Sequence, residues 1–338
     1  MTEDQYRVLE LFSGIGGMHY AFKYSALPGE VVAAVEINTV ANEVYEHNYP
    51  NTRVLNNNIQ KLSPERINKM NVNTILMSPP CQPFTRVGLK KDVGDRRTDA
   101  LKHLCDMIPR LEGIEFILME NVKGFETSSA RKLYLESLEE AGFYFREFLL
   151  SPTQFGVPNT RFRYYCLARR KKDFPFNKAP LWESLPCSDE EKEPHKIRDL
   201  VDPEETISKE VHLPDKLLSK RVWLMDIVTP EDINSICFTK AYTHYNEGTG
   251  SVYSNCSRDQ VSTAFEKAKL LPPDSEEYLE VLRPLGLRYF TPKEVARLMS
   301  FPDSFQFPVE TTNRQKYRLL GNSINVKVVG ELIKVLCS

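Results

Sequence analysis

The chain has little that would commit it to a membrane, a disulfide framework or a metal. No apolar run in its 338 residues approaches the roughly 20 needed to cross a bilayer. Residues 1–7 are polar and lack the apolar core of a signal peptide. Seven widely scattered cysteines include no Cys-x-x-Cys pair, and the six histidines show no ligand spacing. No structural zinc site is expected, and reduced thiols suit a cytosolic or nuclear protein. Charge of one sign is also missing: 44 Lys and Arg against 46 Asp and Glu leave a net charge of −2. That argues against coating nucleic acid by bulk electrostatics, while a local basic groove on a near-neutral body stays open.

What is present reads as an ordinary globular chain, 41% hydrophobic and 27% charged, long enough for about two domains. Apolar runs at 8–12, 31–35, 75–77, 116–119, 145–149 and 164–168 predict buried strands. Amphipathic stretches at 38–47, 98–111 and 129–141 predict helices between them, the last closed by Gly142. Repeated strand–helix alternation implies a mostly parallel, doubly wound α/β sheet over residues 1–168. From 169 to 286 the periodicity weakens and Pro, Glu, Asp and Lys dominate, which predicts a smaller, irregular second domain. Residues 287–338 return to the first. Thr291, Pro292 and Glu294 spell a capped helix start with Phe290 and Val295 as its staple. A last helix places Val328, Val329, Leu332, Ile333 and Leu336 on one face.

The first strand runs into Ser13-Gly14-Ile15-Gly16-Gly17, where glycines let backbone approach a ligand and a helix N-terminus attracts a carboxylate. The same pattern also serves as a plain tight turn. Glu36 ends the next strand, where a carboxylate can accept from both ribose hydroxyls. His19 stands where a dinucleotide fingerprint has its third glycine, so an adenosine cofactor without a pyrophosphate fits better, and S-adenosylmethionine is the common one. The third strand empties into Ser78-Pro79-Pro80-Cys81-Gln82-Pro83-Phe84, a proline frame that holds Cys81 at a strand's carboxyl edge. The fourth leads into Glu120. All four features fall on the edge where open α/β sheets bind ligands.

This set suits one chemistry. Carbon 5 of cytosine is too electron-poor to take a sulfonium methyl directly, and a thiolate added at carbon 6 makes it nucleophilic. Cys81 is the candidate thiolate. Glu120, its pKa raised by a dry site, is the candidate acid at ring N3. The base must first leave any stack it belongs to.

Phe12-Ser13-Gly14-Ile15-Gly16-Gly17, Pro79-Pro80-Cys81-Gln82-Pro83-Phe84, Glu120-Asn121-Val122 and Gly321-Asn322-Ser323 resemble, in order, the motifs of the DNA cytosine-C5 methyltransferases. Gln154-Phe155-Gly156-Val157-Pro158 followed by Arg161 and Arg163 resembles a further motif, whose arginines help hold the flipped base. The resemblance covers roughly 7–168 and 287–338. It implies a Rossmann-like S-adenosylmethionine-dependent methyltransferase domain with a target-recognition domain. Phe12, Ser13, Gly14, Gly16, Gly17, Glu36, Ile37, Asn57, Asn58, Ile59, Pro79, Asn322 and Asn325 would hold the cofactor, which leaves as S-adenosylhomocysteine. Asn57-Asn58 departs from the acidic residue usual there, and Asn159 from the usual Gln.

Within the family the chain looks like the small branch that methylates cytosine 38 in the anticodon loop of tRNA-Asp. No large N-terminal extension is present, Cys237-Phe238-Thr239 resembles that branch's Cys-Phe-Thr signature, and Asn246-Glu247-Gly248-Thr249-Gly250-Ser251 follows it. Without the resemblance, 237–239 reads as part of a packed strand. Lys90, Lys91, Arg96 and Arg97 in the 86–99 segment could touch phosphates or belong to a solvated loop. The cation clusters at 169–172 and at Lys216, Lys220 and Arg221 could add phosphate contacts. Tyr242 and Tyr245 could stack on loop bases or sit in a core. The implied partner is tRNA, with DNA the alternative, and the implied state is a monomer that uses neither a metal nor a membrane.

Overall fold

The computed structural model describes residues 5–80, 99–186, 193–273 and 275–338. Its main sheet has seven strands: β1 (Tyr6–Leu11), β2 (Gly29–Glu36), β3 (Arg53–Asn56), β4 (Thr74–Met77), β5 (Phe116–Val122), β6 (Tyr144–Leu150) and β7 (Arg163–Arg169). Their spatial order is 3-2-1-4-5-7-6, parallel throughout the first five, with β7 antiparallel to both neighbours. The chain winds outward through β2 and β3, then crosses back to β4 on the other side of β1. The β1–β4 junction is therefore the topological switch point, where a crevice opens beyond the strand ends.

Both faces of the sheet are covered, which is why its strands read as continuous apolar runs rather than alternating ones. One face, with Val8, Leu76, Leu118 and Leu167, packs against α1 (Gly17–Ser25) and α2 (Thr39–Asn48). The other, with Leu9, Ile75, Ile117 and Cys166, packs against α3 (Pro64–Asn68), α4 (Asp99–Met107) and α5 (Ser129–Glu140). Leu101, Leu104, Cys105 and Ile108 lie buried in that second layer as their spacing predicts. Gly142 follows α5 at a left-handed φ of 74°, and its N–H donates to Glu139.

The second region holds α6 (Asp215–Lys220), β8 (Ile227–Val228), β9 (Val252–Tyr253), α7 (Arg258–Ala268), α8 (Glu276–Leu282) and β10 (Arg288–Tyr289). Its three two-residue strands form a sheet of their own around a core with Val222, Tyr278, Leu282 and Leu287. Because β10 belongs to it, the chain leaves this sheet after Tyr289, slightly beyond the expected 287. Residues 237–239, expected as strand, lie outside any sheet: Thr239 N–H donates to Thr249, and Ile236 N–H to the Ser251 hydroxyl.

The return segment forms α9 (Pro292–Leu298), α10 (Asn313–Gly321) and α11 (Val326–Cys337). Thr291 and Glu294 make the expected reciprocal capping box, and Phe290 and Val295 are both buried. The apolar stripe of α11 is buried in the first face of the main sheet, beside α1. Tyr24 of α1 donates to Glu331, and Arg169 of β7 to the carbonyl of Ser338. Among the described residues no helix is long and apolar enough to cross a membrane.

Candidate active site

At the carboxyl ends of β1, β2, β4 and β5 lies a cavity of about 650 Å³. The chain after β1 supplies Phe12, Ser13, Gly14 and Gly17 to its wall. Phe12 is held at a left-handed φ of 55°, uncommon for a bulky residue, and its carbonyl accepts from the Ser78 hydroxyl. Gly16 serves the turn itself at φ 85°, donating to the Ser13 carbonyl at 2.9 Å, and does not reach the cavity wall.

Glu36, Ile37, Asn57, Asn58 and Ile59 complete the side built by β2 and β3. The Glu36 carboxylate accepts from three backbone amides: Gly14 at 3.1 Å, and Ile37 and Asn38 at 2.9 Å each. It thereby fixes the glycine turn against the end of β2, and Oε2 keeps a lone pair for a further donor. The side chain of Ile37 is 63% exposed, leaving an apolar surface for a ring. The Ser13 hydroxyl, buried in the wall, has no hydrogen-bond partner among the described residues. An adenosine cofactor with a carboxylate tail would fit these groups: Glu36 could accept from its hydroxyls, Ile37 could face its ring, and Ser13 and the turn's amides could hold its tail.

Asn322 lines the opposite wall. Asn325, expected beside it, does not: it is 2% exposed, caps α11 by accepting from Val328, and donates to the Leu298 carbonyl. The need to cap a buried helix start takes that side chain away from the cavity.

Pro79 and Pro80 form the floor after β4. Cys81, the next residue in the chain, lies outside the described residues, as do Lys90, Lys91, Arg96 and Arg97. Glu120, near the end of β5, lines the same cavity and is buried. Arg163 approaches it, Nε to Oε1, at 3.3 Å. Burial nonetheless holds the Glu120 carboxyl above its ordinary value, against the opposing pull of the Arg163 and Arg161 guanidiniums.

Arg161 reaches the cavity, but both terminal nitrogens of its guanidinium are committed to protein, and only Nε is without a hydrogen-bond partner among the described residues. It donates to the carbonyls of Phe238 at 3.0 Å and Gly321 at 3.1 Å, to that of Ser323, and to the Cys237 sulfur at 3.3 Å. One side chain thus ties together the 161–163 segment, the 237–239 segment and the end of α10. The fit there is tight: a Cβ on Gly321 would stand 2.2 Å from the Lys240 nitrogen. Cys237 lies between the two arginines. Burial alone would raise its thiol, but Arg161 and Arg163 outweigh that and pull it below the ordinary value.

Phe238 is 1% exposed and packs edge-on to Tyr242 and Phe290. It is a core residue, so the expectation that it touches substrate is corrected by packing. Tyr242 is also core, its hydroxyl donating to Ser251 and accepting from Phe290 N–H; Tyr245 is exposed. Thr239 caps a turn, accepting from Ala241 N–H. Sequence reading missed Lys240, Leu319 and Ile324 and named Ser323 only within the Gly321-Asn322-Ser323 motif; all four line the cavity from distant segments that only the fold brings in. No His, Cys, Asp and Glu cluster that could hold a metal occurs among the described residues.

Comparison with known proteins agrees with this geometry. Residues 6–338 match the family model for C-5 cytosine-specific DNA methylases. A tRNA (cytosine(38)-C(5))-methyltransferase of Spodoptera frugiperda is 48% identical over 98% of this chain and 99% of its own. The protein of that name from Mus musculus is 42% identical, over 98% of this chain and 93% of its own. The crystal structure of a Spodoptera frugiperda DNMT2 mutant superposes with a TM-score of 0.91 at 47% identity, covering 99% of this chain and 100% of that one. Sheet order, cavity and sequence thus agree, and the chain belongs to the C-5 cytosine-specific DNA methylase family.

Proposed function

We propose that this protein transfers a methyl group from S-adenosylmethionine to carbon 5 of cytosine 38 in the anticodon loop of tRNA, with tRNA-Asp as the preferred species. The observation that carries the chemistry is Glu120, a buried carboxyl above its ordinary pKa, in one cavity with the Pro79–Pro80 floor and Glu36. The tRNA assignment rests on the names borne by relatives matched nearly end to end. The protein works as a monomer in the cytoplasm or nucleus on this reading, without a metal.

The bound cofactor supplies an electrophilic methyl group. Cys81, deprotonated, adds to carbon 6 of the flipped cytosine while Glu120 delivers its proton to N3, so that carbon 5 becomes nucleophilic. Arg163 keeps the Glu120 carboxyl oriented and stabilises the carboxylate left after that transfer. Carbon 5 would take the methyl group as its bond to the sulfonium sulfur breaks, leaving S-adenosylhomocysteine; loss of the carbon-5 proton to water then expels the Cys81 thiolate, and N3 returns its proton to Glu120. Arg161 holds the cavity walls together. Lys240, in the cavity wall, and Lys90, Lys91, Arg96 and Arg97, which follow Cys81 in the sequence, would meet phosphates on this reading.

The test is incubation with methyl-labelled S-adenosylmethionine and, in parallel, total tRNA or duplex DNA. Label in tRNA is expected. Label in DNA with none in tRNA would overturn the substrate assignment in favour of DNA methylation.

A further inference from the structure

Beneath the glycine turn sits a buried acid that this mechanism does not use. Glu10, next to the last residue of β1, is 0% exposed and points into the layer occupied by α1 and α2. The Tyr45 hydroxyl of α2 donates to Glu10 Oε2 at 2.8 Å. His19 Nδ1 of α1 lies 2.9 Å from the same hydroxyl, and since that hydroxyl gives its proton to Glu10, Nδ1 is the donor. The His19 ring stacks on Tyr49 at 3.6 Å between centroids, and Gly16 rests directly over the Tyr45 and Tyr49 rings. The histidine that replaces a third glycine is thus one end of a chain running under the turn.

We propose that Glu10 is a positioning residue for cofactor binding, sharing the N-terminal turn of α1 with the cofactor's carboxylate, and that its neutral form is the form that binds. This inference rests on the cofactor reading above. The argument is a competition between like charges for one helix start. The first-turn amides of α1 can stabilise a negative charge, and the ligand's carboxylate carries one permanently. A second carboxylate on the inner side of that turn would repel it across a dry interior.

Burial raises Glu10 to about 8, opposed by the Tyr45 hydrogen bond and by the nearby backbone amides of His19 and Met18, and supported by the charge of Glu36. His19 is lowered to about 3 by burial and by Lys23, and stays neutral throughout. Burial also keeps Tyr45 and Tyr49 protonated. These are the titratable and charged groups that face Glu10 from β2, α1 and α2. The sign follows directly. A bound carboxylate raises Glu10 further, so binding goes with proton retention, and affinity is lost as pH rises through about 8.

The probe is S-adenosylhomocysteine, which lacks the sulfonium charge, with its dissociation constant measured by calorimetry at pH 7 and pH 9. Wild-type protein should weaken roughly three- to tenfold more between these values than Glu10→Gln, which mimics the neutral acid. The ligand's own amine titrates in both and cancels. At pH 7 the variant should bind within about twofold of wild type. Tyr45→Phe removes a donor that favours ionised Glu10, so its loss of affinity should move to higher pH, a shift that mere loosening of the fold would not produce. Parallel pH profiles in wild type and Glu10→Gln, with tight binding in both, would overturn this inference alone. No binding to wild type at either pH would overturn the cofactor reading, and the inference with it.

Discussion

A carboxyl that must hand over a proton near neutral pH needs burial to keep it protonated and a cation to stabilise it afterwards. Glu120 has both: a dry place at the end of β5, and the Arg163 guanidinium at 3.3 Å. Glutamine at 120 keeps the shape and the hydrogen-bonding edge but has no proton to give. Glu120→Gln is expected to lower kcat on the order of 10²- to 10⁴-fold while S-adenosylhomocysteine affinity stays within about twofold. In wild type, the Glu120 limb of the pH–rate profile should fall as pH rises through the raised pKa, because the protonated form is the competent one. Equal losses in turnover and cofactor binding would assign Glu120 to the cofactor wall. That Glu120 sits at a buried rim was legible, since four apolar residues lead straight into it. Its pairing with Arg163 was not, because the antiparallel register of β5 and β7 that makes them neighbours leaves no mark in either strand.

Elements with strong local signals were legible in the same way. Thr291-Pro292-Lys293-Glu294 announces the start of α9 through capping chemistry alone. Hidden from the sequence was the second task of Glu294: fully buried, it also takes two hydrogen bonds from Arg288, at 2.9 and 3.0 Å, where β10 ends the small sheet. Glu294→Ala would remove the half of the capping box that accepts from Thr291 N–H and leave Arg288 with only Glu204 and a carbonyl. A loss of about 3–5 kcal/mol is expected in urea unfolding; a loss under 1 kcal/mol would mean that water reaches and solvates Arg288. The strand missed in the main sheet, β3, is four residues at the sheet edge with no fully buried side chain, so it shows none of the continuous apolar character of its neighbours. Residues 237–239 were misread for the converse reason. Phe238 has a core residue's character, but its backbone is held by turns and by Arg161 rather than by a ladder.

At the scale of the whole molecule, function depends on three stretches of chain meeting at one sheet edge. The first 168 residues supply the wall with Glu36 and Glu120, the second region brings Lys240, and the return segment brings Leu319 and residues 321–324. Arg161 joins them through the carbonyls of Phe238, Gly321 and Ser323. Motifs far apart in sequence therefore face one cavity, a meeting that strand order and long-range packing decide. The most direct test of the account is to map 5-methylcytosine at single-nucleotide resolution in tRNA-Asp after incubation with S-adenosylmethionine and either wild-type protein or Cys81→Ala. Methylation confined to cytosine 38 with wild type, and none with the variant, is predicted. Methylation by Cys81→Ala at the wild-type level would contradict the covalent mechanism, and methylation only at other cytosines would contradict the target.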